Sequence, residues 1–323
     1  MKKFLISIDT EGDNLWRYKK GGEITTENSK SLGRFQNLCE EYGFKPTYLT
    51  NYEMAKSKDF VEFVKPSLVS GKCEIGMHLH AWNNPPYYEL KNVNPEVSAS
   101  YLIEYPEEIM EKKIELLTQE LEQTFEKNIT THRAGRWAMD ERYFKLLKKY
   151  GYKVDCSVTP KKSWVNSAGM TNGSVGSDYT NSPQTPYLIN TEYGDILEIP
   201  MTVKKCRKIF IDKGLSLRQK LSRVYHGVNG RTVWLRPDGN NDKELLWFVE
   251  NIAFDDNFDY VMFMLHSSEF MSGGSPTFPN EESIEKLYLD MEQIFTKASR
   301  YFTGCTIGEY GVEKMLEYDK GNK

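Results

Sequence analysis

Short apolar runs recur along this 323-residue chain, each followed by a longer stretch with helical periodicity. The runs at residues 4–9, 47–50, 74–80, 130–134, 153–158, 196–203, 232–236 and 260–266 read as strands. Residues 28–41, 59–69, 106–126, 140–150, 242–253 and 281–301 read as helices. Gly43, Gly71 and Gly151 stand where a helix C-terminus favours glycine. Pro106 followed by two glutamates makes a good helix opening, and Asp140 is a natural N-cap. Strand-then-helix repetition constrains the fold strongly, because parallel strands need crossover helices and bury both faces. The chain is therefore expected to form an α/β fold, a distorted (β/α) barrel of about seven parallel strands with outer helices. No linker or composition break divides it, so residues 1–323 are read as a single domain.

In such barrels the chemistry sits at the C-terminal ends of the strands. Asp9, His80, Arg133, Asp155, Arg236 and His266 all fall at or just beyond a predicted strand end. His78 and His80 share strand parity and can present two imidazoles to one point. Asp9 and Glu11 share parity too, and imidazole with carboxylate is a donor set suited to zinc and similar divalent ions. Two long segments, 82–105 and 161–194, interrupt the alternation and read as loops bordering a site.

Bulk properties exclude some functions. A net charge of −4 gives no polyelectrolyte signal for nucleic acid. The basic stretch 204–223 reads as a solvated surface. No apolar run is long enough to cross a bilayer, and the opening apolar run is too short for a signal-peptide core, so a cytoplasmic protein without a membrane span is expected. The five isolated cysteines read as reduced thiols. The aromatic content of 13% suits stacking on sugar rings and equally suits a large core.

Five motifs in order carry a resemblance. Ser7-Ile8-Asp9-Thr10-Glu11 is followed by Glu74-Ile75-Gly76-Met77-His78-Leu79-His80, His132-Arg133-Ala134-Gly135-Arg136, Val154-Asp155-Cys156-Ser157-Val158 and Met264-Leu265-His266-Ser267-Ser268. Together they resemble the polysaccharide deacetylases of the NodB-homology type, carbohydrate esterase family 4, and within it the divergent WalW-like branch of lipopolysaccharide biosynthesis. The resemblance implies a metal-dependent hydrolase, with zinc the expected ion, that removes an N-acetyl group from a saccharide. It implies Asp9 as general base, Arg133 as its partner and His266 as general acid. Glu11, His78 and His80 would hold the metal. Trp82, Arg136 and Trp137 would meet the sugar. In the family's commoner pattern the second histidine lies four residues after the first, where this chain has Trp82. Either His80 substitutes, or the last ligand comes from Asp13 or solvent. An acidic partner for His266 is expected, with Asp155 and Asp238 both eligible. Deformylation of a modified sugar, or a catalytically silent carbohydrate-binding barrel, are the alternatives.

Overall fold

The computed structural model describes residues 1–19, 21–211 and 216–321. In chain order they form β1 (Lys2–Thr10), α1 (Leu32–Glu41), β2 (Pro46–Thr50), α2 (Tyr52–Lys56), α3 (Lys58–Val69), β3 (Glu74–Leu79), α4 (Glu107–Phe125), β4 (Thr131–Ala134), α5 (Glu141–Lys149) and β5 (Val154–Asp155). There follow β6 (Tyr187–Thr191), β7 (Gly194–Glu198), β8 (Val203–Cys206), α6 (Leu217–Asn229), β9 (Arg231–Trp234), α7 (Asp242–Ala253), β10 (Tyr260–His266), α8 (Glu281–Ala298), β11 (Phe302–Gly304) and α9 (Ile307–Gly321).

The main sheet runs β10-β1-β2-β3-β4-β5-β7-β6. Seven of these strands are parallel, and β6 closes the edge antiparallel to β7. The sheet curls into a half-barrel rather than a continuously laddered cylinder. Between β10 and β7 the wall is completed by other groups. Met262 N donates to Thr202 Oγ1 at 3.0 Å, and Met264 N to the Leu235 carbonyl at 3.1 Å. The expected barrel and strand count hold.

Strand parity divides the core. Phe4, Ile6 and Ile8 of β1 pack outward with Phe35, Phe44 and Phe295 of the helical layer. Leu5 points inward, with Leu49, Val154, Leu197, Met262 and Met264. Ile307 and Tyr310 of α9 join this inner cluster, and Gly308 lies against Glu74 and Thr131 at the N-terminal ends of β3 and β4. The helix thus plugs one mouth of the barrel. Inward-facing residues beyond the apolar layer, at the other mouth, are left to build the site.

Several boundaries differ from expectation. The run 196–203 is two strands in two sheets, because β7 ends at Glu198 and Pro200 cannot donate to a ladder. Only Val154–Asp155 of the run 153–158 is laddered. The segment 161–194 is not all loop, since it ends in the β6–β7 hairpin. It also pairs with the other long segment through Val93 and Thr171. Helices α2, α6 and α9 were not anticipated. Within the basic stretch 204–223, residues 212–215 lie outside the described residues. All five cysteines are buried and unpaired, as reduced thiols should be. Among the described residues no helix is long and apolar enough to cross a membrane.

Candidate metal centre

Ladder register brings the site together. Asp9 is paired with His266 across β1 and β10, and His78 with Arg133 across β3 and β4. All four sit where inward-facing side chains leave the apolar core. Asp9, Glu11, His78, His80 and Arg133 are buried, Arg133 completely.

The donor atoms converge. His80 Nε2 lies 3.1 Å from Glu11 Oε2 and 3.0 Å from His78 Nε2. His78 Nε2 is 3.5 Å from Glu11 Oε2 and 3.9 Å from Asp9 Oδ2. Glu11, His78 and His80 each offer one ligand atom, all within 4.8 Å of one another. His78 Nδ1 lies 3.0 Å from the Arg133 carbonyl. That carbonyl can only accept, so Nδ1 carries a proton and Nε2 is the nitrogen turned to Glu11 and His80. A buried carboxylate with inward-facing imidazole nitrogens is what a divalent cation needs, and the three residues fit one. His80 thus stands with Glu11 and His78. Asp13 does not, for its carboxylate accepts from Thr25 Oγ1 at 2.5 Å and from the Glu27 amide at 2.6 Å, capping the turn Glu27–Ser31.

Arg133 NH1 donates to Asp9 Oδ1 at 2.7 Å, and its Nε donates to the Cys156 carbonyl at 3.1 Å. Burial works against ionising Asp9, yet the Arg133 guanidinium, with His78 and His266, holds its carboxyl well below the usual range. With Oδ1 engaged, Oδ2 faces the cavity, 3.8 Å from His266 Nε2. Glu11 is likewise held low against its burial, chiefly by His80 and His78. Burial and the adjacent His78 push His80 down to about 3, so its imidazole is neutral and able to ligate.

The partner of His266 is Glu269, and this corrects the expectation of Asp155 or Asp238. His266 Nδ1 lies 3.2 Å from Glu269 Oε2, and Arg236 NH2 lies 3.1 Å from Glu269 Oε1. The same carboxylate accepts from the His266 amide at 2.8 Å, closing the turn Ser267–Phe270. The sequence did carry a signal, since an acid three residues after a strand-ending residue is a turn-capping pattern. Asp155 lies one residue from the inward-facing Val154 and so points to the opposite face. There it takes His132 Nδ1 at 2.5 Å. Asp238 lies 3.6 Å from Arg223.

A cavity of about 240 Å³ opens onto the centre, with Trp16, Trp82, Arg136, Trp137 and His266 in its walls. Trp82, four residues after His78, stacks on His80 with ring centroids 4.3 Å apart. Trp16 meets the His266 ring edge-on at 4.9 Å and donates to Ser268 Oγ at 3.0 Å. Trp137 lies under the Arg133 guanidinium at 4.8 Å. Arg136 bonds the Ala99 carbonyl at 2.5 Å and the Ala168 carbonyl at 2.7 Å, tying the two long segments together beside the site. Sequence reading missed Trp16, Glu53 and Glu269. Glu53 lies behind the centre, bonded to Asn83 Nδ2 at 2.7 Å.

No family model matches the chain, and no curated protein matches it in sequence. Its fold is similar to that of a protein assigned as a polysaccharide deacetylase from Mycobacterium smegmatis, at 13% identity and a TM-score of 0.52, over 98% of this chain and 92% of that one. It is also similar to 4-alpha-glucanotransferase from Thermococcus litoralis, at 13% identity and a TM-score of 0.55, over 96% of this chain and 40% of that one. A GH57 branching enzyme from Thermococcus kodakaraensis has 8% identity and a TM-score of 0.50, over 96% of this chain and 70% of that one. The likeness is one of fold, shared by proteins named for different reactions, so the reading of function rests on the residues of the site.

Proposed function

We propose that the protein is a metal-dependent hydrolase that removes the N-acetyl group from an N-acetylated sugar. The observation that carries this reading is the convergence of Asp9, Glu11, His78, His80 and His266 on one small cavity. It argues against glycosyl transfer, which pairs an ionised carboxylate with a protonated carboxylic acid. Here both cavity carboxyls are held ionised, and the group placed to donate a proton is an imidazole.

Glu11, His78 and His80 would hold a divalent cation, zinc being the expected one, which when bound lowers the pKa of water and polarises the acetyl carbonyl. Asp9 Oδ2 accepts the water proton, the carboxylate being kept ionised and its free oxygen turned to the cavity while Arg133 fixes Oδ1. Cleavage of the C–N bond requires a proton on the departing amine. His266 supplies it from Nε2, with Nδ1–H held by Glu269. Acetate and a free amino sugar are the products. Trp16, Trp82 and Trp137 offer faces for a pyranose ring. Beyond Trp82 a second cavity of about 420 Å³, walled by Tyr87, Tyr88 and Tyr105, gives room for the rest of the saccharide. The tie to the lipopolysaccharide branch rests on the motifs and points to a saccharide precursor.

The test is metal analysis of the purified protein combined with acetate release from N-acetylhexosamine oligosaccharides, with and without chelator. Bound stoichiometric metal and chelator-sensitive release of acetate are expected. Formate release from an N-formyl sugar alone would move the reading to a deformylase. Sugar binding with neither metal nor turnover would make the barrel a binding protein.

A further inference from the structure

Helix α6 is built the wrong way round for a surface helix of a globular protein. Leu217, Leu221, Val224, Tyr225 and Val228 recur at helical spacing and form one stripe. Such a stripe ordinarily faces the core, yet Leu217, Leu221, Tyr225 and Val228 are 62–74% exposed. The helix instead packs by its polar and small side. Arg223 reaches Glu244 at 3.0 Å and the Asn240 carbonyl at 3.2 Å. Gly227, the one buried residue of α6, lies against Ile209 and Lys208, where an added Cβ would come within 2.4 Å of Ile209 Cγ1. Ile209 and Ile211, in the segment that leads out of β8, add to the exposed apolar surface.

Charge identifies what the stripe meets. From Val203 through Arg231 nine lysines and arginines stand against one acidic residue, and only Lys204, Arg223 and Arg231 of them are paired with acids elsewhere among the ion pairs of the described residues, in a chain whose net charge is −4. Arg218 and Lys220 flank the stripe on its two sides, and Lys205, Arg207 and Lys208 are exposed on the adjoining segment. An apolar stripe bordered by cations is the pattern of a helix that lies in the interface of an anionic bilayer. A second copy of the chain fits less well, because a two-fold contact would set the same cations against one another.

We propose that α6 with the segment 205–211 is a membrane-surface docking element, inserting Leu217, Leu221, Tyr225 and Val228 among the acyl chains of an anionic leaflet. The element is tied to the site. The loop that follows Arg236 runs to Asp238 and Asn240, both of which face Arg223, while Arg236 itself holds Glu269 beside His266. Docking by α6 would bring the catalytic mouth to a lipid-borne substrate, but the docking itself does not depend on the deacetylase reading.

The experiment is co-sedimentation of the full chain with phosphatidylcholine vesicles, with and without phosphatidylglycerol. Wild type is expected to bind the anionic vesicles at least about tenfold more tightly than the neutral ones, and to lose that binding at high salt. The double variant L221E/V228E, changed only at exposed positions, should lose vesicle binding while keeping the wild-type melting temperature and acetate release from a soluble oligosaccharide. Equal, negligible sedimentation of wild type with both vesicles would overturn the proposal. So would unchanged binding by the double variant. A concentration-dependent dimer dissolved by the same substitutions would assign the face to a second copy instead.

Discussion

His266 Nδ1 lies 3.2 Å from Glu269 Oε2, three residues further along the same tight turn. One carboxylate therefore fixes the ring, caps the turn and meets Arg236. Glu269 is held ionised against its burial by its bond to His266 and by the Arg236 charge. The Glu269→Gln variant should keep its metal and its KM while kcat falls by roughly 10- to 100-fold, a part of the usual general-acid contribution. Steady-state acetate release across pH checks it. A shifted alkaline limb belongs with a positioning role, whereas a wild-type kcat would remove Glu269 from the mechanism.

Arg133 is completely buried and has Asp9 as its anionic partner. Asp9→Asn removes the proton acceptor and leaves the guanidinium uncompensated. Turnover should fall by about 10²- to 10⁴-fold. Unfolding stability should fall by about 3 kcal/mol, as when a buried pair loses one member. Urea melts of D9N and of D9N/R133M check this, the double variant recovering stability without recovering activity.

Gly135 has no room for a side chain, because an added Cβ would lie 2.3 Å from His80 Cδ2 and 2.5 Å from the Leu79 carbonyl. Gly135→Ala should push His80 out of line and weaken divalent-metal binding by roughly 10- to 100-fold. Competition titration with a chromogenic chelator measures this directly. Unchanged affinity would mean that His80 contributes nothing to the metal.

Glu53 is pushed up to about 7 by burial and by the charge of Glu11, and its Oε2 has no partner. Its carboxyl has an ordinary value near 4.5 once unfolded. Between those values the folded protein binds more protons than the unfolded chain, so stability falls as pH rises through that window. In metal-free protein, Glu53→Gln should match wild type near the bottom of the window and exceed it above the top by about 1–3 kcal/mol. Denaturant melts at mildly acidic and mildly alkaline pH, with chelator present, test the sign.

Much of the site was legible because its signals are local. Parity put His78 with His80 and Asp9 with Glu11, and the apolar runs marked where strands end. What misled was any inference that crossed between elements. Asp155 stands at a strand end like the others, but it lies one residue off the inward-facing parity and so bonds His132 behind the sheet. Asp13 is an acid two residues beyond Glu11, yet it spends its oxygens on the turn that leads to α1. The stretch 204–223 was read from its charge as a solvated surface, and that charge gave no sign of the apolar stripe that α6 exposes.

By itself, then, the sequence determined the parallel α/β barrel, since hydrophobic period is a property of consecutive residues, and strand parity together with the motif resemblance marked Asp9, Glu11, His78, His80, Arg133 and His266. Tertiary structure alone decided that His80 and not Asp13 stands with Glu11 and His78, that Glu269 lies against His266, and that Trp16 and Trp82 wall the cavity. Those outcomes depend on which side chains are brought within hydrogen-bond distance across strands and loops, and no short-range pattern encodes that distance.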